Sequence, residues 1–236
     1  MGAGMDTLDS QIVLITGARG GLGTDVTKAF LKAGAWVVGS SRKIADSDFD
    51  HPRFVGIPAD LTSADEARKL ADAVIERFQK VDALVHVAGG FAGGRPIHET
   101  DDATWGQMMD LNLRAAFHTL RAVIPHMRKD GRGRIVAIGS RAALEPQADI
   151  AAYSASKAAL VSLVRTAALE NRDAGITANV ILPGTIDTEA NRQSDPGGDH
   201  SRWVSPARLA DLAVFLVSDA AAQITGAAIP VYGAGI

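Results

Sequence analysis

A glycine-rich turn between a strand and a helix, near the start of the chain, constrains the fold most. Residues 11–15 (Gln-Ile-Val-Leu-Ile) are mostly apolar and β-branched, which indicates a buried strand. Residues 16–23 (Thr-Gly-Ala-Arg-Gly-Gly-Leu-Gly) follow directly. After them, apolar residues recur at helical spacing up to Gly34, which indicates a helix. Backbone N–H groups at such a helix start can bind a phosphate, and glycines let it approach. The segment predicts a pyrophosphate site or, alternatively, a flexible turn without a ligand.

The rest of the chain alternates strands with helices, which is typical of a parallel sheet covered on both faces. We predict further strands at residues 35–40, 53–58, 82–87, 134–139, 176–182 and 227–232. We predict helices after the capping box Ser63–Glu66, over residues 102–129 with an interruption near Pro125, over 151–173, and after Ser205-Pro206. Residues 190–202 lack periodicity and are expected to be a loop, either a substrate cover or a surface connection. The expected fold is one α/β domain over residues 1–236, a Rossmann-type doubly wound parallel sheet of about seven strands.

Composition narrows the class of protein. Of the 236 residues, 47% are hydrophobic and 22% charged, as in ordinary globular proteins. The chain has no Cys, and its His residues show no metal-ligand spacing, so we expect no metal. A net charge of −3 without a basic run argues against a nucleic-acid partner. Because there is no membrane-length apolar run and Met1–Asp6 lacks signal-peptide features, we expect a cytoplasmic protein that spans no membrane.

Two residues on one predicted helix point to acid–base chemistry. Tyr153 and Lys157 are four apart and therefore share a helix face. A nearby ammonium stabilises a phenolate and lowers the pKa of the phenol. Ser140, thirteen residues before Tyr153, ends a predicted strand, and such carboxyl ends are where open α/β sheets bind ligands. The alternative is a surface Tyr–Lys pair and a Ser that caps a helix.

These motifs resemble the short-chain dehydrogenase/reductase family over residues 10–232. The turn from Thr16 to Gly23 is similar to the family's cofactor motif, and Asp60-Leu61 to its adenine-contacting pair. Pro183-Gly184 with Thr188 resembles the turn after its sixth strand. The family's catalytic order is matched by Asn112, Ser140, Tyr153 and Lys157. The chain departs from the family pattern in having His86-Val87-Ala88-Gly89 after strand four and Tyr232-Gly233-Ala234-Gly235 near its end.

The resemblance implies a role for each matched residue. Tyr153 would be the general acid or base, and Lys157 would lower its pKa and hold the nicotinamide ribose. Ser140 would bind the carbonyl oxygen, and Asn112 would support a water beside Lys157. The implied cofactor-binding residues are Gly17, Arg19, Gly21, Leu22, Gly23, Ser41, Arg42, Asp60, Leu61, Ala88, Gly89, Tyr153, Lys157, Pro183, Gly184 and Thr188. The family assembly is a homotetramer, or at least a dimer.

Three of these positions have competing interpretations. Ser41-Arg42 occupies the position at which an NAD enzyme usually has an acidic residue. Together with Arg19, it favours NADP(H), whose 2′-phosphate it could bind, over NAD(H). Arg42 could instead be a solvated surface charge. Asp60 could simply cap the turn before Thr62. His86 is more often a core histidine than an acid–base group.

The function we expect is an NAD(P)-dependent oxidoreductase. It would reduce a carbonyl to an alcohol, or the reverse, and the small-molecule substrate would be a 3-oxoacyl thioester or another ketone. The loop Gly89–Gly94 also resembles that of dihydropteridine reductases, which usually lack a Ser at the position of Ser140. A non-catalytic NADP-binding redox sensor is a further alternative. The segments that would choose the substrate are residues 89–96, 142–150 and 190–203.

Overall fold

The fold is a twisted parallel sheet with helices on both faces, as the alternating pattern predicts. A computed structural model describes residues 8–234, so Met1–Asp6 and Gly235 lie outside the described residues. The seven strands of this part of the chain form one sheet in the order β3-β2-β1-β4-β5-β6-β7, all parallel. They are β1 (Ile12–Thr16), β2 (Trp36–Ser41), β3 (Phe54–Pro58), β4 (Ala83–His86), β5 (Gly133–Ile138), β6 (Ile176–Pro183) and β7 (Ala228–Val231).

The helices connect successive strands. They are α1 (Gly21–Lys32), α2 (Ala64–Phe78), α3 (Asp102–Met109), α4 (Ala115–Asp130), α5 (Ala151–Asn171), α6 (Glu189–Ser194) and α7 (Pro206–Val217). Within residues 8–234, no helix has both the length and the apolar character that a bilayer span requires.

Two apolar layers sandwich the sheet because successive strand side chains point to opposite faces. Val13 and Ile15 of β1 pack into one core cluster with α1 and α7. Ile12 and Leu14 of the same strand pack into the other cluster, which contains buried residues of α2, α4 and α5. The strands are therefore apolar on both sides.

The predicted helix over residues 102–129 is interrupted, but not near Pro125. Residues 110–114 form a π-helical turn between α3 and α4, and Pro125 lies inside α4. A π turn accommodates one extra residue and redirects the side chains that it carries. Here the turn carries Asn112, which is completely buried.

The segment predicted as a patternless loop, residues 190–202, is partly helical. Its first residues belong to α6, and residues 200–202 form a single tighter turn. Thr188 caps α6, because its Oγ1 accepts a hydrogen bond from Asn191 N at 3.3 Å. The sequence prediction was wrong here because six residues are too few to display a helical period.

The order of the strands places a cleft at their carboxyl ends. From β1 the chain runs outward to β2 and β3, and then returns to β4 on the other side of β1. The loops on the two sides diverge at this reversal, which is where open α/β sheets bind ligands. A cleft of about 1650 Å³ lies there.

Candidate active site

The glycine-rich turn forms a close-fitting cradle at one end of the cleft. Gly17 has φ +69°, and a Cβ there would lie 2.7 Å from the backbone N of Ala88. A Cβ at Gly23 would overlap the carbonyl oxygen of Gly17. Gly20, the residue before α1, supplies no side-chain cap, and the first turn of α1 has no acidic side chain. The N–H groups at this helix start are therefore open to an anion.

The cleft connects this cradle to the predicted acid–base residues. Among the residues predicted from the sequence, its lining includes Gly17, Arg19, Gly21, Leu22, Gly23, Ser41, Arg42, Asp60, Leu61, Ala88, Gly89, Ser140, Tyr153, Lys157, Pro183 and Gly184. Thr188 is not a lining residue, but it packs against the cradle: its Cγ2 lies 3.1 Å from the position that a Cβ of Gly21 would occupy. Asn112 is not a lining residue either. The cradle, the open helix start and the continuous lining fit a dinucleotide.

Tyr153 and Ser140 meet at the other end of the cleft. Tyr153 lies in the first turn of α5, and its hydroxyl is near enough to that of Ser140, which follows β5, to interact with it electrostatically. Burial raises the pKa of Tyr153, and the Ser140 hydroxyl opposes part of that rise. The phenol is therefore protonated at neutral pH and can donate a proton.

Lys157 is buried beside Tyr153. The Nζ atom donates a hydrogen bond to the carbonyl oxygen of Ile138 at 3.0 Å and lies 5.9 Å from the centre of the Tyr153 ring. Burial lowers the pKa of Lys157 to about 8. Lys157 is not among the causes of the shift in the pKa of Tyr153, and its expected effect on that pKa stays a prediction. The ammonium is directed at a backbone carbonyl, and desolvation of the phenol outweighs other effects.

Asn112 binds the turn that follows β4. Its Oδ1 accepts a hydrogen bond from Gly90 N at 2.9 Å, and its Nδ2 donates to Gly90 O at 3.0 Å and to Ser156 Oγ at 3.1 Å. The amide therefore ties the turn to α5. Its contacts are to the turn and to Ser156 rather than to Lys157, and a role with a water beside Lys157 stays a prediction.

His86 links two neighbouring strands under the site. Its Nδ1 lies 2.9 Å from Thr16 Oγ1, which also accepts a hydrogen bond from Ala88 N at 3.4 Å. Burial, and secondarily the charge of Lys157, lowers the pKa of His86 to about 3, so the imidazole is neutral. The burial and the Thr16 contact agree with a core histidine, but its buried Nε2 has no hydrogen-bond partner among residues 8–234.

Comparisons with known proteins identify the family of the chain. The family model described as short chain dehydrogenase matches residues 11–198. The chain belongs to this family. It is 34% identical over 245 residues to the 7alpha-hydroxysteroid dehydrogenase of Escherichia coli strain K12, with 97% of this chain and 95% of that protein covered.

Solved structures similar to this chain include members of the same family. A short-chain type dehydrogenase/reductase from Mycobacterium ulcerans matches with a TM-score of 0.90 and 28% identity, over 96% of this chain and 90% of that one. A 3-ketoacyl-(acyl-carrier-protein) reductase from Brucella melitensis, complexed with NADH, matches with a TM-score of 0.87 and 28% identity, over 97% and 98% of the two chains. The dehydrogenase described here is thus an oxidoreductase of this family.

In this dehydrogenase the turn after β3 is tightly held. Asp60 Oδ1 accepts hydrogen bonds from Thr62 N at 3.0 Å and Thr62 Oγ1 at 2.7 Å, which lower the pKa of Asp60. The carboxylate of Glu66 accepts a hydrogen bond from Asp60 N at 2.6 Å. The contacts of a turn cap are therefore present, and Asp60 also lines the cleft.

The two arginines predicted to face a 2′-phosphate have different surroundings. Arg42 is exposed and makes no hydrogen bond or ion pair with any residue in the described range 8–234. Arg19 is engaged, because its Nε lies 3.2 Å from Asp48 Oδ1 and its Nη1 donates to Lys43 O at 2.9 Å. Asp48, which was not predicted from the sequence as a site residue, partly neutralises Arg19.

The Tyr153 end of the cleft contains a further residue, Arg141, that was not among the site residues predicted from the sequence. Arg141 follows Ser140, and its guanidinium lies 4.9 Å from the centre of the Tyr232 ring. Both line the cleft together with Trp203. The position of Arg141 directly after the strand-ending Ser140 could have indicated it.

Proposed function

We propose that this dehydrogenase is an NADP(H)-preferring carbonyl reductase, or the reverse alcohol dehydrogenase, with Tyr153 as general acid and base. The observation that carries the proposal is the placement of the Tyr153 and Ser140 hydroxyls side by side, next to buried Lys157, in the cleft that begins at the glycine cradle. The likeness to a 3-ketoacyl reductase and a hydroxysteroid dehydrogenase supports a ketone as the substrate class.

The side chains divide the proton chemistry between them. A bound nicotinamide supplies or accepts the hydride. The hydroxyls of Ser140 and Tyr153 are close enough to bind one carbonyl oxygen together, and Tyr153 donates its proton to that oxygen. Its raised pKa keeps the proton available at neutral pH. Lys157 holds the ribose, and Asn112 fixes the adjoining turn through Gly90.

Removing the Tyr153 hydroxyl should abolish most of the turnover. Tyr153→Phe keeps the ring against Phe91, whose centre is 5.0 Å away, and removes only the proton donor. We expect kcat for ketone reduction to fall by about two to four orders of magnitude, while the Kd for NADPH stays nearly unchanged. Tyr232→Phe is the matched control, because it removes the other phenol of the chain from the same cleft. Near-normal kcat in Tyr153→Phe would contradict the mechanism.

The proposed preference for NADPH depends on Ser41 and Arg42. A guanidinium can bind a 2′-phosphate through paired hydrogen bonds, whereas an acid would repel it. The double change Ser41→Asp with Arg42→Gln should weaken NADPH binding about 10- to 100-fold and favour NADH. Calorimetric Kd values for both cofactors measure this, with Arg68→Gln on the outer face of α2 as control. Tighter binding of NADH than NADPH by the unchanged protein would overturn the assignment.

We also propose that the chain assembles as a homotetramer, or at least a dimer. Large apolar side chains stand exposed on α4 and α5, with Phe117 42% and Leu169 68% accessible. Exposed groups of this kind suit a self-complementary interface. Light scattering at micromolar concentration should give a multiple of the chain mass, and a monomer mass would contradict the proposal.

A further inference from the structure

A second cavity, of about 480 Å³, lies where β5 and β6 begin. This edge of the sheet is opposite the catalytic cleft, which lies where the strands end. The lining includes Arg134, Thr177, Arg172 and Gln223. It is therefore polar and cationic, and the oxidoreductase chemistry uses none of it.

Two buried polar atoms at the floor of this cavity have no partner. Arg134 of β5 and Thr177 of β6 are register partners, so their side chains lie side by side on one face of the sheet. Each residue is only 6% exposed. Arg134 Nε and Thr177 Oγ1 make no hydrogen bond with any of the residues described, 8–234. A buried polar atom without a partner costs free energy, so an unfilled pair of donors calls for a ligand.

The charges around the cavity leave an excess of positive charge. Arg134 Nη1 donates to Gly133 O at 3.1 Å, and its Nη2 lies 3.4 Å from Asp219 Oδ1. The same carboxylate oxygen is already bound at 2.8 Å by Arg132 Nη2. Arg172 lines the cavity, and its side chain forms no ion pair or hydrogen bond within the described part of the chain. Two guanidiniums thus share one carboxylate, and the guanidinium of Arg172 has no anionic partner among residues 8–234.

We propose that this cavity binds a small oxyanion of the phosphate type. The anion accepts hydrogen bonds from Arg134 Nε and Thr177 Oγ1 at the floor and from the guanidinium of Arg172 at the mouth. Guanidinium groups present N–H donors in a fixed planar arrangement that matches phosphate oxygens. A water molecule could satisfy the hydroxyl of Thr177, but it would leave the positive charge unbalanced.

Binding at this position would stabilise the folded protein rather than take part in the reaction. A strand rises about 3.3 Å per residue, so the eight residues of β6 separate the cavity from the cleft by roughly 20 Å. A ligand that binds only the folded state raises its stability in proportion to the logarithm of ligand concentration. The expected signature is a saturable rise in Tm.

Titration of the whole protein with inorganic phosphate tests the proposal. Ionic strength is held constant with chloride, and both Tm and the heat of binding are measured. Thr177→Val is the main variant, because it replaces an unpartnered hydroxyl by a methyl of the same shape and should not destabilise the fold. Arg172→Gln removes the exposed charge at the mouth. Arg208→Gln, on the outer face of α7 with an 81% exposed side chain, is the matched control.

We expect saturable phosphate binding that weakens about tenfold or more in Thr177→Val and in Arg172→Gln and is unchanged in Arg208→Gln. Absence of saturable binding in the unchanged protein would overturn the proposal. Binding that is the same in all three variants would also overturn it, because the phosphate would then occupy another site, such as the start of α1. The outcome is independent of the activity of the catalytic cleft.

Discussion

The burial of the Lys157 ammonium where β5 ends is the constraint around which the candidate active site is arranged. Removing an ammonium from water is unfavourable, and the carbonyl of Ile138 is the acceptor that offsets part of this. The neighbours must then suit a buried cation. A Cβ at position 89 would lie 2.7 Å from Asn112 Oδ1 and 3.3 Å from Lys157 Nζ, so only a glycine fits between the two side chains. His86 stays neutral, in part because Lys157 is charged. The Lys157 ammonium is therefore the point at which three elements pack together: the carboxyl edge of the sheet, the turn after β4, and α5.

The π turn that carries Asn112 connects this charge to the rest of the cleft. A regular helix over residues 102–130 would direct the side chain at position 112 differently. Instead the amide binds both backbone groups of Gly90 and reaches Ser156 on α5. The loop that lines the cleft is thus held by the same helix that carries Tyr153 and Lys157. Pre-organisation of this kind is what a general acid needs to meet its substrate in one geometry.

Short-range patterns predicted much of the fold and the candidate site. The alternation of strand-like and helix-like sequence patterns predicted the parallel sheet. The spacing of Tyr153 and Lys157 predicted that both lie on one helix face. What escaped prediction depends on contacts that are distant in sequence. The hydrogen bond between Thr16 and His86 joins residues 70 apart, and the ion pair of Arg19 with Asp48 crosses two elements. The direction of Lys157 Nζ, toward a strand carbonyl, is likewise set by the assembled core.

The pH dependence of kcat/KM for NADPH tests the central role of buried Lys157 most directly. This parameter reports the protonation of the free enzyme. The pKa of Lys157 is lowered to about 8, whereas that of Tyr153 is raised above its ordinary 10.0. Raising the pH through about 8 therefore removes the ammonium that we propose holds the ribose, while the phenol keeps its proton. We expect kcat/KM for NADPH to be constant below this pH and to fall about tenfold per pH unit above it. A value that stays constant up to about pH 10 would contradict a buried, functional Lys157 ammonium.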